Sequence, residues 1–311
     1  MQIIRTVGSQ HGPYFYYEVS GSVGYNRARL DASRAVPNDL TSAVESDIIL
    51  DVIKNSDLEG ALTMNQDKSY GLNRDIIKYI AMLTMLLNHI SHIFLEEGTF
   101  LATLFEDVGY FTAPVMCWFL VEGYQYTRSK KNYAVRLFLF AVLSEIPFCL
   151  AFSYGRQISF VAFNMLFTLF FCFLILVAEE KIRNRFLSIL VQILLVLVTI
   201  LCDWPLMAAI YTIMFSHTYQ SKKKAAISYG AATLIFAAFQ HMNLSFLYSG
   251  TELLWRVVLS SLGVAAAGIT VLCFYNGKRA ERGRTFSKWF FYLFYPVHLL
   301  ILGVLRILFV A

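Results

Sequence analysis

His89 lies inside a long apolar stretch, with Thr84, Asn88, Ser91 and His92 close by in the chain. At about 100° per residue these five side chains fall within an arc of roughly 160°, so a helix here has one polar face. An imidazole, with an ordinary pKa near 6.5, is well suited to take and return a proton at neutral pH. His89 is therefore a candidate general acid/base. His298 stands in a second apolar stretch, three residues after Tyr295 and on the same helical face. Glu145 stands in a third, between Ser144 and Pro147. Its carboxylate could orient a histidine or bind an amine. His89, Glu145 and His298 are the catalytic candidates. The competing reading for each is a polar group hydrogen-bonded inside a helix bundle.

A second tier of residues suits binding. Asn164 shares a face with Thr168, Asp203 closes an apolar run, and Arg256 enters another. With Asn88 these form the substrate-binding candidates. Asp203 and Arg256 are an expected pair. Glu122, Arg128 and Arg136, with Lys130 and Lys131 between them, could build a basic mouth for a phosphate-bearing ligand; the plainer reading is loop charge. The cysteines Cys117, Cys149, Cys172, Cys202 and Cys273 stand singly, without CxxC spacing, and read as small apolar residues. No metal site is expected.

These residues need elements that hold them in an apolar solvent. Of the 311 residues, 57% are hydrophobic and 15% charged, against about 25% charged in a soluble domain. Charged side chains inside a bilayer cost about 2.5 to 3.5 kcal/mol each, so those that occur there are functional candidates by default. Apolar runs predict spans near 76–95, 104–125, 133–152, 160–178, 186–202, 204–216, 225–240, 254–275 and 290–309. Most approach the ~20 residues that cross a hydrocarbon core. The sixth and seventh are short. The expected fold is an all-α, polytopic transmembrane bundle of about nine spans.

Loop charge gives the orientation. With the N-terminus inside, sixteen Lys/Arg fall on the inner side, and Arg156, Arg256 and Arg306 toward the outside. Residues 76–311 carry nineteen Lys/Arg and eleven Asp/Glu, a surplus of eight positive charges that belongs to these loops and not to a nucleic-acid surface. The same orientation puts His89, Glu145, Asn164 and Asp203 in the outer half, His298 near the midplane, and the basic mouth inside.

Residues 1–74 differ in kind. They are polar and mixed, with no basic start followed by an apolar core, and read as a cytoplasmic extension. Tyr14 to Val19 reads as a short strand, and 42–62 has helix-like apolar spacing.

The chain also resembles a known family. The run Ile77 to Ile90 is similar to the opening helix of TraX-type membrane proteins. Ala113-Pro114-Val115-Met116-Cys117-Trp118 through Glu122-Gly123-Tyr124 continues the resemblance, followed by Ser144-Glu145-Ile146-Pro147, Asn164 to Leu169, Asp203-Trp204-Pro205 and Phe291 to Leu299. The motifs keep their order over 75–311 and leave 1–74 uncovered. Two positions depart from the family pattern. Asn88 stands where Asp is frequent, and Tyr110 follows Gly109 where Arg is frequent.

The resemblance implies a bacterial inner-membrane protein similar to transmembrane acyltransferases. It implies acetyl-CoA, or another acyl-CoA, as donor substrate, with no permanently bound cofactor. His89 would be the acid/base, Glu145 and His298 supporting or alternative catalytic groups, and Arg128 and Arg136 contacts for the CoA phosphates. The acceptor would be an amine or hydroxyl of a peptide, a pilin or a surface glycan. A transporter or flippase is a second reading, weakened by the lack of visible repeats. A non-catalytic membrane assembly factor is a third. Besides acyl-CoA and acceptor, membrane lipids are the expected partners, and no nucleic acid.

Overall fold

A computed structural model describes residues 3–7, 14–21, 24–31 and 71–309, apart from Tyr154, Arg156, Glu281 and Arg282. The chain divides into two compact units, Met1–Asp67 and Lys68–Ala311. In the first, β1 (Ile3–Val7), β2 (Tyr14–Gly21) and β3 (Gly24–Asp31) form an antiparallel sheet in the order β1-β2-β3. Tyr17 of β2 is registered between Thr6 and Ala28. The strand expected at 14–19 lies inside β2, whereas the helix expected at 42–62 lies outside the described residues.

The second unit is helical. Its helices are α1 (Arg74–Phe94), α2 (Phe100–Gly109), α3 (Thr112–Tyr126), α4 (Lys130–Phe152) and α5 (Met165–Lys181). Then come α6 (Arg185–Val198), α7 (Met207–Thr218), α8 (Lys222–Leu244), α9 (Gly250–Ile269) and α10 (Arg284–Phe309). Each of the nine expected apolar runs contains a helix. Five segments are long and apolar enough to cross a membrane: 74–94, 100–126, 130–152, 250–274 and 285–309.

Two boundaries differ from the sequence reading. The expected span 104–125 is broken at Tyr110 and Phe111 into α2 and α3. Gly109 is the cause of the close approach there, because a Cβ on it would stand 2.4 Å from Cβ of Asn88 on α1. The seventh run is not short. α8 starts with Lys222–Lys224 and runs through Leu244, 23 residues, since helix continues through polar positions that an apolar count stops at.

Local chemistry sets the ends that matter. Asn73 caps α1, its Oδ1 accepting from the N–H groups of Asp75 and Ile76, both at 3.0 Å. Asn164 caps α5, its Oδ1 accepting from Leu166 N–H at 3.0 Å. Pro147 and Pro296 lie inside α4 and α10, which pack along each other. At the far end of α4, buried Arg306 donates from Nε to the Leu150 carbonyl at 3.1 Å and from Nη1 to that of Gly155 at 2.7 Å. A cation at a helix C-terminus meets the negative end of its dipole.

Candidate functional site

α1 and α10 bring the two histidines together. His89 Nδ1 and His298 Nε2 are 2.9 Å apart, the rings nearly parallel at 7°, and both side chains are buried. The other ring nitrogen of His298, Nδ1, is 2.7 Å from the Phe294 carbonyl oxygen. A carbonyl only accepts, so His298 Nδ1 carries a hydrogen. In a neutral pair His298 Nε2 is then the acceptor and His89 Nδ1–H the donor. His89 Nε2 is left with its lone pair and has no partner among the described residues. That is the arrangement of a positioned general base. Phe152 meets the His89 ring edge-on at 5.3 Å, and Phe294 stacks on His298 at 4.7 Å.

A cavity of about 610 Å³ is lined along α1 by residues from Arg74 to Met85. Its wide part is lined by Arg74, Lys78, Arg128, Arg136, Arg279 and Lys288, with Asp75 the acid among them. Arg74 pairs with Glu122 at 3.6 Å and Asp75 at 3.9 Å. Among the described residues no carboxylate lies within ion-pair distance of the other five. Nε of Arg74 and Nε of Arg136 are buried without a hydrogen-bond partner. A group of cations with orphaned donors suits a ligand bearing several phosphate oxygens.

Lys78 stands 11 residues before His89. Eleven residues are three turns of helix, about 16 Å and about 20° apart in azimuth, so Lys78 and His89 face the same way along α1. The sequence reading gave Lys78 no role at the site, although this spacing was visible. Arg74 was missed for the same reason. Between the two ends the walls turn apolar, with Met82, Met85, Phe119, Leu120 and Leu169 among them. The lining also includes Met165, Phe294 and Tyr295; Tyr295 meets both histidine rings and Phe294 stacks on His298, while neither histidine is itself a lining residue.

The remaining candidates sort by partner. Arg128 and Arg136 line the cavity. Glu122 does not line it; the Tyr275 hydroxyl donates to its two oxygens at 2.8 and 2.9 Å, and the carboxylate steadies Arg74. Glu145 does not touch the histidine pair. Its Oε2 accepts from Asn164 Nδ2 at 2.6 Å and from Asn164 N–H at 3.3 Å. Asp203 joins this group through its backbone carbonyl, which accepts from Thr168 at 2.5 Å. The loop holding it is strained, since Trp204 and Leu206 have φ of 58° and 60°. The expected Asp203–Arg256 pair is absent. Arg256 instead pairs with Glu252 at 3.2 Å and lies over the Tyr248 ring. Asn88 is turned toward Gly109, away from any hydrogen bond with the imidazoles among the described residues.

Outside the bundle interior, Lys130 and the Tyr124 hydroxyl both bond Glu180 and hold its carboxyl below the usual range. This ties the start of α4 to the end of α5 beside the cationic mouth.

Long apolar helices around a buried polar pair define a multi-pass helical membrane protein. The chain belongs to the TraX protein family, whose model matches residues 73–306. It is also similar to a protein of Dichelobacter nodosus described as "Probable fimbrial assembly protein FimC, serogroup H1". The two are 30% identical over 245 residues, 73% of this chain and 92% of that protein. No solved structure matches.

Proposed function

We propose that this protein is a membrane acyltransferase of pilus assembly, moving an acetyl group from acetyl-CoA to an amine or hydroxyl of a pilin, peptide or surface glycan. The observation that carries the reading is the free Nε2 of His89 beside a cation-lined cavity, one wall residue of which, Tyr295, meets both histidine rings. Arg74, Lys78, Arg128 and Arg136 would hold the phosphates of the donor, and the apolar throat its arm. His89 Nε2 takes the proton from the acceptor, whose heteroatom attacks the thioester carbonyl. The carbon–sulfur bond breaks, and the same proton passes to the departing sulfur. The pilus assignment rests on the printed name of the Dichelobacter relative, which fits a non-catalytic assembly factor as well. Membrane vesicles given labelled acetyl-CoA and the pilin of the same cell decide between them: label must reach the pilin, and an assembly factor would leave it on CoA.

Removing one charge from the mouth should act on binding alone. Arg136→Gln is expected to raise KM for acetyl-CoA by about 10- to 100-fold, the value of a charge-assisted hydrogen bond of about 1.5–3 kcal/mol. Its kcat should stay within about threefold, since the interaction is made equally in ground and transition states. A fall in kcat at unchanged KM would place Arg136 elsewhere in the mechanism.

The proposed setting is a bacterial inner membrane, with nine spans and the N-terminus inside. In a cysteine-free background, Gly98→Cys should then react with an impermeant maleimide added to whole cells, and Lys131→Cys only after lysis. Labelling of both from the same side would refute the orientation.

A further inference from the structure

The His89–His298 pair explains proton transfer and leaves the carbonyl oxygen unattended. Attack on a thioester puts negative charge on that oxygen, and in an apolar interior this charge needs a hydrogen-bond donor. Asn88, adjacent to His89 in sequence, faces Gly109 and does not supply one. The cationic mouth lies about three helical turns away, at Lys78.

Tyr295 meets the requirement. It is 4% exposed, lines the cavity, and its ring lies 6.4 Å from that of His89 and 5.6 Å from that of His298. Its hydroxyl oxygen already accepts a hydrogen bond, from the backbone N–H of Met165 at 3.1 Å. Met165 is the first residue of α5, directly after the Asn164 cap, so its N–H has no carbonyl partner within the helix. The phenol is thus fixed at one end by the positive end of a helix. Accepting that bond polarises the O–H and strengthens it as a donor. The hydroxyl hydrogen is given to no described acceptor. Met165 satisfies the oxygen, and the hydrogen, on a residue that lines the cavity, is left for a ligand oxygen.

We infer that Tyr295 is a further catalytic residue, its hydroxyl donating a hydrogen bond to the thioester carbonyl oxygen as that oxygen becomes an oxyanion. The inference rests on the acyl-transfer reading and adds a second role to the same site. No bond to Tyr295 forms or breaks: the proton stays on the phenol while His89 handles the proton of the acceptor. The ligand class follows from the chemistry. A donor with a planar carbonyl next to its leaving group fits at Tyr295, and an already tetrahedral phosphoryl or sulfuryl group needs more donors than this end of the cavity has.

The test is steady-state transfer from labelled acetyl-CoA in proteoliposomes with the full-length chain. Tyr295→Phe keeps the ring and removes the donor. Its kcat is expected to fall on the order of 10²- to 10³-fold, as for loss of one oxyanion donor, with KM for acetyl-CoA within about threefold. An unchanged kcat would overturn the inference, as would a KM effect alone. If Tyr295→Phe does not fold, fluorotyrosines at 295 keep the hydroxyl and its bond with Met165 while changing its acidity. A kcat that tracks that acidity supports the role, and a kcat flat across the series overturns it. Wild-type protein that transfers nothing is a separate result, against the acyl-transfer reading itself.

Discussion

His89→Ala is expected to lower acyl transfer by about 10²- to 10⁴-fold, the usual contribution of a positioned general base. The fold should survive. The substitution leaves His298 Nε2 without its donor, at a cost of about 1–3 kcal/mol, and α1 keeps its cap at Asn73 and its contacts with α2 and α3. His89→Gln should fold better, and transfer no better, because an amide fills the space and cannot take the proton. Transfer at the wild-type rate in either variant would remove His89 from the mechanism. The loss should appear in kcat, with donor binding at Arg74, Lys78 and Arg136 little changed, since Lys78 and Arg74 lie about three and four turns away along α1 and Arg136 stands on α4.

The largest expected effect on stability lies on α9, at Gly263. A Cβ there would stand 2.4 Å from the Asp107 backbone oxygen and 3.1 Å from the Phe111 nitrogen. Neither atom is the end of a flexible side chain, so α9 and the α2–α3 break would have to separate. Gly263→Val should therefore cost about 3 kcal/mol or more, and be seen as a lower melting temperature or loss of monodisperse protein in detergent. Gly230→Ala in α8 is the control. Nothing lies within 4 Å of a Cβ there, and alanine is the better helix former by about 1 kcal/mol, so it should be neutral or stabilising. If both substitutions behaved alike, the close approach of α9 to Asp107 would be wrong.

Much of the helical scaffold could be read from the residues. The apolar run that starts after Asp75 is a helix because Asn73 caps it and Thr84, Asn88, His89 and His92 interrupt it on one side only. The break at Tyr110 was masked by apolar residues that continue through it, although Pro114 signals it: proline has no N–H to give the Tyr110 carbonyl four residues back. Tertiary contacts accompany the break, Gly109 against Asn88 and the Tyr110 ring edge-on to Phe236 at 4.8 Å. The end of α8 was hidden for the opposite reason, because Gln240, His241 and Asn243 look like a loop although helix runs through them.

The site was legible in type and not in pairing. An imidazole at membrane depth was visible at both 89 and 298, yet 209 positions separate them, and only the packing of α10 on α1 shows that they share a hydrogen bond. Asn88 shows the converse. Its place beside His89 in the chain made it a substrate-binding candidate, but neighbours on a helix point about 100° apart, and its side chain belongs to the contact with α2. Glu145 lies in an apolar helix, and its hydrogen-bond partners among the described residues are Asn164 at the start of α5, through Oε2, and Cys149, through Oε1, with no histidine among them. Tyr295 was noted as sharing a face with His298. Its use depends on the unpaired N–H of Met165, which only the position of α5 reveals.

The central claim is that a histidine held by a second histidine is the base for direct acyl transfer from a cytoplasmic thioester to an acceptor. Purified protein reconstituted in proteoliposomes, with acetyl-CoA labelled in the acetyl group and the pilin of the same cell as acceptor, tests it most directly. Label is expected on the pilin with wild-type protein and, at equal protein content, at least about 10²-fold more slowly with His89→Ala. Label that stays on CoA with wild-type protein, or reaches the pilin equally fast with both, would contradict it.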